Sequence, residues 1–340
     1  MTNSFTPPPV SWQLPSGHLL ISSALEYAAF CQLYAAELPI FLQPWWLDAV
    51  GQQGHWQKYV IKDNSNKPIG IWPVFTKRRY GFYWHTLPPY TPVSGPWFAE
   101  ENTLTQPLLE ALVSQISKSS LYWLLQSVRY IQQAAWWQKN GFEVDIWHTY
   151  QLPATDDAME LFKKFRSTTR NEIKKASPFI EIRQETDLQH FMPLYTQHAQ
   201  AKKIFDPAAA TAFQAVFAAS IARAQGQLLC AYDQQENLLA GIFCVWDQKT
   251  TYLLVISREE QTQPFSPTRF LLWQAIKLSA TQGRVFDFEG GRMPSIGDFF
   301  ASFGATKTAY LRAILYPNPL VRFAVRLTKY VRHPQSRFFR

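Results

Sequence analysis

The sequence predicts an α+β protein made of two successive domains, each a mixed, mostly antiparallel sheet flanked by helices. Three observations carry this reading. The chain has 340 residues, enough for two domains of ordinary size. Hydrophobic residues make up 47% of it and charged residues 17%, with 13 Trp, 15 Tyr and 25 Phe, so it can bury large cores and is not a disordered polymer. Strand and helix signals also run twice through a similar order, without any sequence repeat on the roughly 20–50 residue scale of solenoids. The expected boundaries are 1–150 for the first domain, 151–318 for the second and 319–340 for a basic tail.

In the first half, "WQKYVIKD", "PIGIWPVFTKR" and "YGFYWHTLP" alternate apolar and polar residues about the turn "NSNKP", which predicts antiparallel strands. "LTQPLLEALVSQISK" has helical spacing, "LYWLLQSV" reads as a strand, and "IQQAAWWQKNGF" as a helix stopped by Gly141. After the strand "TYQLPA", Asp156 and Asp157 precede "AMELFKKFRSTTRNEIKKASP", one helix that Pro178 ends. The strand "FIEIRQE" follows, then helical segments at about 187–201 and 207–225. "QLLCAYD", "LLAGIFCVWD" and "TTYLLVISRE" form a three-strand meander. The chain then reads as the helix "PTRFLLWQAIKLSATQG", the strand "RVFDFEG", the helix "SIGDFFASFG" and the strand "TAYLRAILYP".

Several function classes are excluded. Cys31, Cys230 and Cys244 lack metal-type spacing, and the last two sit in apolar runs where Cys acts as a small hydrophobe. The seven histidines show no ligand spacing, so no metal is expected, and no nucleophile-elbow, Walker, dinucleotide or zinc-ribbon motif occurs. "MTNSFTPPPVSWQLPSG" does not read as a signal peptide, and "LLAGIFCVW", the longest apolar run, is about half of what a bilayer span needs. A soluble protein in a reducing cytoplasm is expected. Net charge is +8, part of it in "VRFAVRLTKYVRHPQSRFFR", a basic tail that either is solvated or touches an anionic surface at the inner membrane face.

Narrower motifs come next. "FDFEGG" followed by "DFFASFGA" and "AYLR" resembles the closing motif of Fem-type (FemAB-like) double-GNAT proteins, in which a strand ends in an Asp-Phe pair and an aromatic helix ends in Phe-Gly or Trp-Gly. "LFKKFRSTTRNEIKKA" is similar to the basic helix that opens their second domain. "FLQPWWLDAV", "IWPVFTKRRYG" and "PPYTPVSGPWF" are similar to their first-domain pattern, so the resemblance spans residues 38 to 315. It implies two tandem GNAT-like domains, of the acyl-CoA N-acyltransferase fold, and transfer of an acyl or aminoacyl group to an amine. Fem-type members move an amino acid from aminoacyl-tRNA to a cell-wall precursor, and ordinary GNAT enzymes use acyl-CoA, so either is a candidate co-substrate and no covalently bound cofactor is expected. The chain departs from both patterns. Its loop "REEQTQPFSPT" has no glycine and two prolines where acyl-CoA enzymes offer amides to a pyrophosphate. The segment between "IEIRQE" and "QLLCAYD" leaves no room for the helical arm of tRNA-using transferases.

Acyl transfer to an amine needs a proton acceptor, oxyanion stabilisation and positioning, and no covalent nucleophile. On "VFDFEGG" strand alternation puts Asp287 and Glu289 on one face, unless Glu289 is already in the turn. Glu289, partly desolvated, is the candidate general base; Asp287 either shares the chemistry or ties down backbone. Gly290 and Gly291 either present amides to substrate or only let the strand turn. Phe299, Phe300 and Phe303 read as core. Arg166, Arg170 and Lys174 recur every four residues, a stripe that binds a phosphorylated donor or lipid-linked precursor, or else faces solvent. The resemblance singles out Arg170; Arg269 is a second basic candidate near the donor site, Arg258 ends the meander where a GNAT cleft opens, and Tyr310 on the last strand either acts as an acid toward the leaving group or is simply packed. The expected function is an N-acyltransferase acting on a small-molecule or lipid-linked amine of the bacterial cell envelope. The other reading is a GNAT-shaped protein without catalysis that docks on an anionic lipid or polymer surface through its tail.

Overall fold

The computed structural model describes residues 10–323, apart from residues 80, 101–102, 118–119, 121, 128–130, 261–263 and 317. It divides into two compact units, one of Met1–Tyr34, Gly51–Ile146 and Tyr310–Arg340, the other of Ala35–Val50 and Trp147–Ala309. The expected break near residue 150 therefore holds only in part, because Ala35–Val50 crosses to the second unit and the chain from Tyr310 returns to the first. Packing is the reason: the Ile40 N–H donates to the Asp247 carboxylate at 3.1 Å, and Phe41 packs on Tyr252 with centroids 4.7 Å apart.

The first unit opens with strands β1 (Val10–Gln13) and β2 (Leu19–Ser22) and helix α1 (Ala24–Leu33), none of which the hydrophobic pattern singled out. Helix α2 (Pro44–Val50) belongs to the second unit. Strands β3 (His55–Lys62), β4 (Pro68–Arg79), β5 (Phe82–Thr86) and β6 (Trp97–Phe98) follow, then α3 (Gln106–Ser117), β7 (Tyr122–Ser127), α4 (Ala134–Lys139) and β8 (Glu143–Leu152). β1 to β5 pair antiparallel in sequence order, β6 lies on β4, and β7 pairs parallel with β5. The β3–β4 turn forms because the Asp63 carboxylate accepts from the Ser65 and Lys67 backbone N–H groups, at 2.9 and 3.0 Å, while Asn66 takes positive φ. The core sets Trp72, Trp123, Trp137 and Phe142 against Leu108 and Leu112 of α3.

In the second unit α5 (Ala158–Lys164) is followed by α6 (Ser167–Ala176), β9 (Glu181–Glu185), α7 (Phe191–Ala201) and α8 (Pro207–Ile221). The meander is β10 (Gly226–Tyr232), β11 (Leu238–Trp246) and β12 (Thr250–Arg258); then come α9 (Pro267–Ala280), β13 (Val285–Asp287), α10 (Pro294–Ala301) and β14 (Thr306–Leu315). The sheet order is β8-β13-β12-β11-β10-β9, antiparallel except for β12 with β13. A parallel pair needs a crossover, and α9 supplies it, capped by Ser266 with Pro267 in its first turn. Its Leu271, Leu272 and Ile276 bury against Leu229, Ile242 and Leu253 of the sheet. The architecture is the α+β arrangement that the sequence predicts.

One expected helix is two. Asp157 caps α5 as read, but Phe165 turns extended (φ −63, ψ 146) and breaks the run before α6. The break lets Phe165 sink into the core against Trp273 and Phe303, with centroids 5.5 and 5.2 Å away, and lets the Arg166 N–H donate to the Ser302 carbonyl at 2.9 Å. Burying that ring outweighs one interrupted helical turn. The tail expected to meet an anionic surface lies almost wholly outside the described residues.

Candidate functional site

The site is built where β13 ends. Asp287 pairs with Gln151 of β8 on one side and Tyr252 of β12 on the other, and its side chain is 4% exposed. Its carboxylate accepts from the Thr149 hydroxyl at 2.5 Å, the Gln151 amide at 2.7 Å and the Glu289 backbone N–H at 2.8 Å. The partners are themselves held, since Thr149 Oγ1 accepts from the Gly290 N–H at 3.2 Å and Gln151 Oε1 from the Thr308 hydroxyl at 2.9 Å. The Phe288 N–H donates to the Tyr150 carbonyl at 3.0 Å, so the chain past β13 stays fastened to β8. Burial pushes Asp287 up from the ordinary carboxylate range and the three donors pull it back, leaving it raised. The Asp287 carboxylate thus holds the Glu289 backbone amide in place.

Glu289 is in the turn, with φ +47, and does not share the strand face with Asp287. A non-glycine residue in this left-handed region is strained, and the Asp287–Thr149 clamp on the two successive amides holds it there. Its side chain is half-buried, and among the described residues its carboxyl makes no hydrogen bond to protein. Burial first, and the Asp287 charge second, raise Glu289 well above the ordinary range. The two carboxyls differ in support: three donors stabilise the charged form of Asp287, and among the described residues none does so for Glu289. Tyr252 lies close by. Its hydroxyl donates to Asp247 at 3.0 Å, and burial, Asp247 and then Glu289 hold its pKa well up.

The glycines separate. A Cβ on Gly291 would lie 2.5 Å from the Tyr150 ring, and one on Gly297 2.6 Å from the Tyr150 hydroxyl, so both let that ring pack against the turn. Gly290 faces open space, but its N–H is taken by Thr149 and is not presented to a substrate. Phe300 and Phe303 are buried and Phe299 packs beside them, as expected of core.

The basic residues are dispersed. Arg170 uses Nη1 to donate to the carbonyls of Lys163, at 3.1 Å, and Phe165, fastening the end of α5. Arg166 precedes α6 as its exposed cap residue and Lys174 on α6 is also exposed, so all three stripe positions lie past the break at Phe165, with Arg170 between the other two turned to the backbone. Arg258 is half-buried at the end of β12. Arg269 lies with its guanidinium 4.8 Å from the Phe299 centroid, and its Nε is buried without a hydrogen-bond partner. Tyr310 is on the part of β14 that belongs to the first unit. The first turn of α9 fits a pyrophosphate poorly: Pro267 has no N–H, Ser266 Oγ takes the Arg269 N–H at 3.3 Å, and Ser266, Pro267 and Thr268 are buried. Thr149, Gln151, Tyr252 and Asp247 were not legible as site residues; the hydrogen bonds that recruit the first two to Asp287 span 138 and 136 residues.

Residues 163–298 match the family model for an acetyltransferase (GNAT) domain, a span that includes the Asp287–Glu289 turn. No curated protein sequence matches the chain significantly. Among solved structures, FemX aligns with a TM-score of 0.64 at 11% identity, over 88% of this chain and 98% of that one. The C-terminal (DUF2156) domain of a candidate lysylphosphatidylglycerol synthetase from Agrobacterium fabrum aligns with 0.54 at 10% identity, over 91% and 98%. A tandem GNAT protein from the clavulanic acid biosynthesis pathway gives 0.54 at 8% identity, over 91% and 99%. At these identities the likeness is one of fold. The second unit therefore carries an acetyltransferase (GNAT) domain over residues 163–298, and the chain shares its fold with FemX and with a tandem GNAT protein.

Proposed function

We propose that the protein is an N-acyltransferase that moves an acyl or aminoacyl group to an amine, with Glu289 as the general base. The observation that carries this is the pairing of a half-buried carboxyl of raised pKa, without a hydrogen-bond partner among the described residues, with a buried Asp287 that fixes its backbone. An acceptor amine is a cation near neutral pH and cannot attack. Glu289 takes one proton from the ammonium, the freed lone pair forms the C–N bond at the donor carbonyl, and the tetrahedral oxyanion collapses by breaking the bond to the carrier. The proton on Glu289 passes to the leaving group, and the new C–N nitrogen loses its remaining extra proton to solvent, which leaves the neutral amide. Asp287 acts through the turn and is a positioning residue.

The donor is of acyl or aminoacyl class. The first turn of α9 leaves a carrier few free backbone amides, so holding it there falls to the Arg269 side chain, whose Nε makes no hydrogen bond among the described residues. The likeness in fold to FemX and to a protein named for lysylphosphatidylglycerol synthesis supports a cell-envelope acceptor, a lipid-linked amine included. The test incubates the full chain with labelled acyl-CoAs and aminoacyl-tRNAs and an amine panel. Turnover lost in Glu289→Gln with donor binding retained supports the proposal; a Gln variant that turns over like wild type removes Glu289 from the reaction.

A further inference from the structure

At the other end of β13 from Glu289 the second unit contains a cavity of about 300 Å³, at the small end of ligand pockets, which run roughly 300–1,000 Å³. The sheet supplies one wall through Leu229, Cys244 and Thr251, and the last turn of α9 supplies the other through Ala275 and Leu278. Arg284 stands at its rim, just before β13. Thr251 and Tyr252 are neighbours on one strand and so project to opposite faces, which separates this cavity from the site at Glu289.

Two polar groups are unsatisfied here. Thr251 is 4% exposed and its Oγ1 has no hydrogen-bond partner. The Arg284 Nε is likewise buried without a partner, and among the described residues its guanidinium makes no hydrogen bond; it lies over the Trp246 ring, 5.4 Å from the centroid. The side chain is not loosely placed. The Arg284 N–H donates to the Ser279 carbonyl at 3.1 Å, and the Ser279 hydroxyl donates back to the Arg284 carbonyl at 3.3 Å, which anchors the stem of the side chain at the cavity rim. Asp247 is near enough to stabilise the charge, but it already accepts from the Ile40, Lys249 and Thr250 N–H groups and the Tyr252 hydroxyl. Buried polar groups in native proteins nearly always find a partner, so a cavity lined by two that lack one is shaped for a partner from outside.

We propose that this cavity is a second ligand site, taking a small monocarboxylate with an apolar or aromatic body, its carboxylate held by Arg284 and Thr251. A guanidinium fork beside a hydroxyl matches a carboxylate, and Leu229, Cys244 and Leu278 give apolar surface for the body, alongside the polar Gln227, Thr281 and Gln282. A phosphate is disfavoured, because a dianion would meet one cation and the negative, carbonyl end of α9.

The test is isothermal titration of the full chain with benzoate and hexanoate, with benzamide and inorganic phosphate as controls. Saturable one-to-one binding of a carboxylate is expected, at least about tenfold weaker for benzamide and phosphate and in Arg284→Leu, and weakened several-fold in Thr251→Val. Should Arg284→Leu fail to fold, Leu278→Trp, at a position 45% exposed, closes the mouth and must abolish the binding. The proposal is overturned if neither carboxylate binds at about 10 mM, if benzamide binds equally, or if Leu278→Trp leaves binding unchanged. None of these readouts depends on acyl transfer.

Discussion

Replacing Asp287 by alanine removes the acceptor that three donors share and leaves the Thr149 hydroxyl, the Gln151 amide and the Glu289 N–H facing a void. Each orphaned buried donor costs about 1–3 kcal/mol, and loss of a desolvated carboxylate offsets part of the total, so the net cost is about 3 kcal/mol. In a unit of this size each kcal/mol moves the melting temperature by about 2–4 °C, giving a fall of about 6–12 °C. Asparagine keeps an acceptor oxygen for Thr149 and for the Glu289 N–H and disturbs only the Gln151 bond, so its cost is about 1 kcal/mol. Denaturant unfolding followed by tryptophan fluorescence measures both variants. Asp287→Asn also deletes the charge that is the second cause of Glu289's raised pKa, so the acid limb of its pH–rate profile must move to lower pH. Equal costs under about 1 kcal/mol for both variants, or an acid limb that moves up or stays, would refute the clamp.

Three further outcomes follow from the same geometry. Glu289 has its folded pKa raised from 4.5, so its contribution to stability is full below that value and is lost as pH rises through the folded one. Glu289→Gln must therefore gain stability over wild type as pH rises above 4.5, by at most about 1.4 kcal/mol per pH unit; urea titrations across pH check this, and a difference independent of pH contradicts it. Gly291→Ala, at φ +110 and 2.5 Å from the Tyr150 ring, costs about 2 kcal/mol or more, and calorimetry should find it below Gly290→Ala, which bears backbone strain at φ +146 but meets no neighbouring atom. Arg170→Met loses bonds to two carbonyls and about 1–2 kcal/mol of stability, while donor affinity stays within about twofold of wild type in the same titration used for the donor screen.

The meander was legible because β10, β11 and β12 carry strong apolar runs between turns whose Asp233 and Asp247 side chains bond their own following N–H groups. The crossover helix and the turn after Asp287 were legible for similar local reasons. Alternation alone could not decide whether Glu289 lay on the strand or in the turn, since that depends on its φ of +47, which Asp287 and Thr149 impose from outside the segment. The break at Phe165 escaped because propensity favoured a continuous helix, and only the ring's burial against Trp273 and Phe303 ends it. The transfer of Ala35–Val50 to the second unit rests on contacts such as Ile40 to Asp247, 207 residues apart, for which a single sequence carries no local signal. Periodicity aligned Arg166 with Arg170 on α6, but it carries no signal for the bonds from Arg170 Nη1 to the Lys163 and Phe165 carbonyls.

The most direct test of the account is the pH profile of acyl or aminoacyl transfer by the wild type and by Glu289→Gln. With Glu289 as base, the wild-type rate rises with pH along an acid limb set above the ordinary carboxylate value of 4.5. The Gln variant loses about 10²–10⁴-fold in turnover, its donor affinity stays within about twofold, and its acid limb disappears. A Gln variant that retains the wild-type limb and a rate within about tenfold would contradict the central claim, and would leave Glu289 as a strained residue of the turn and no more.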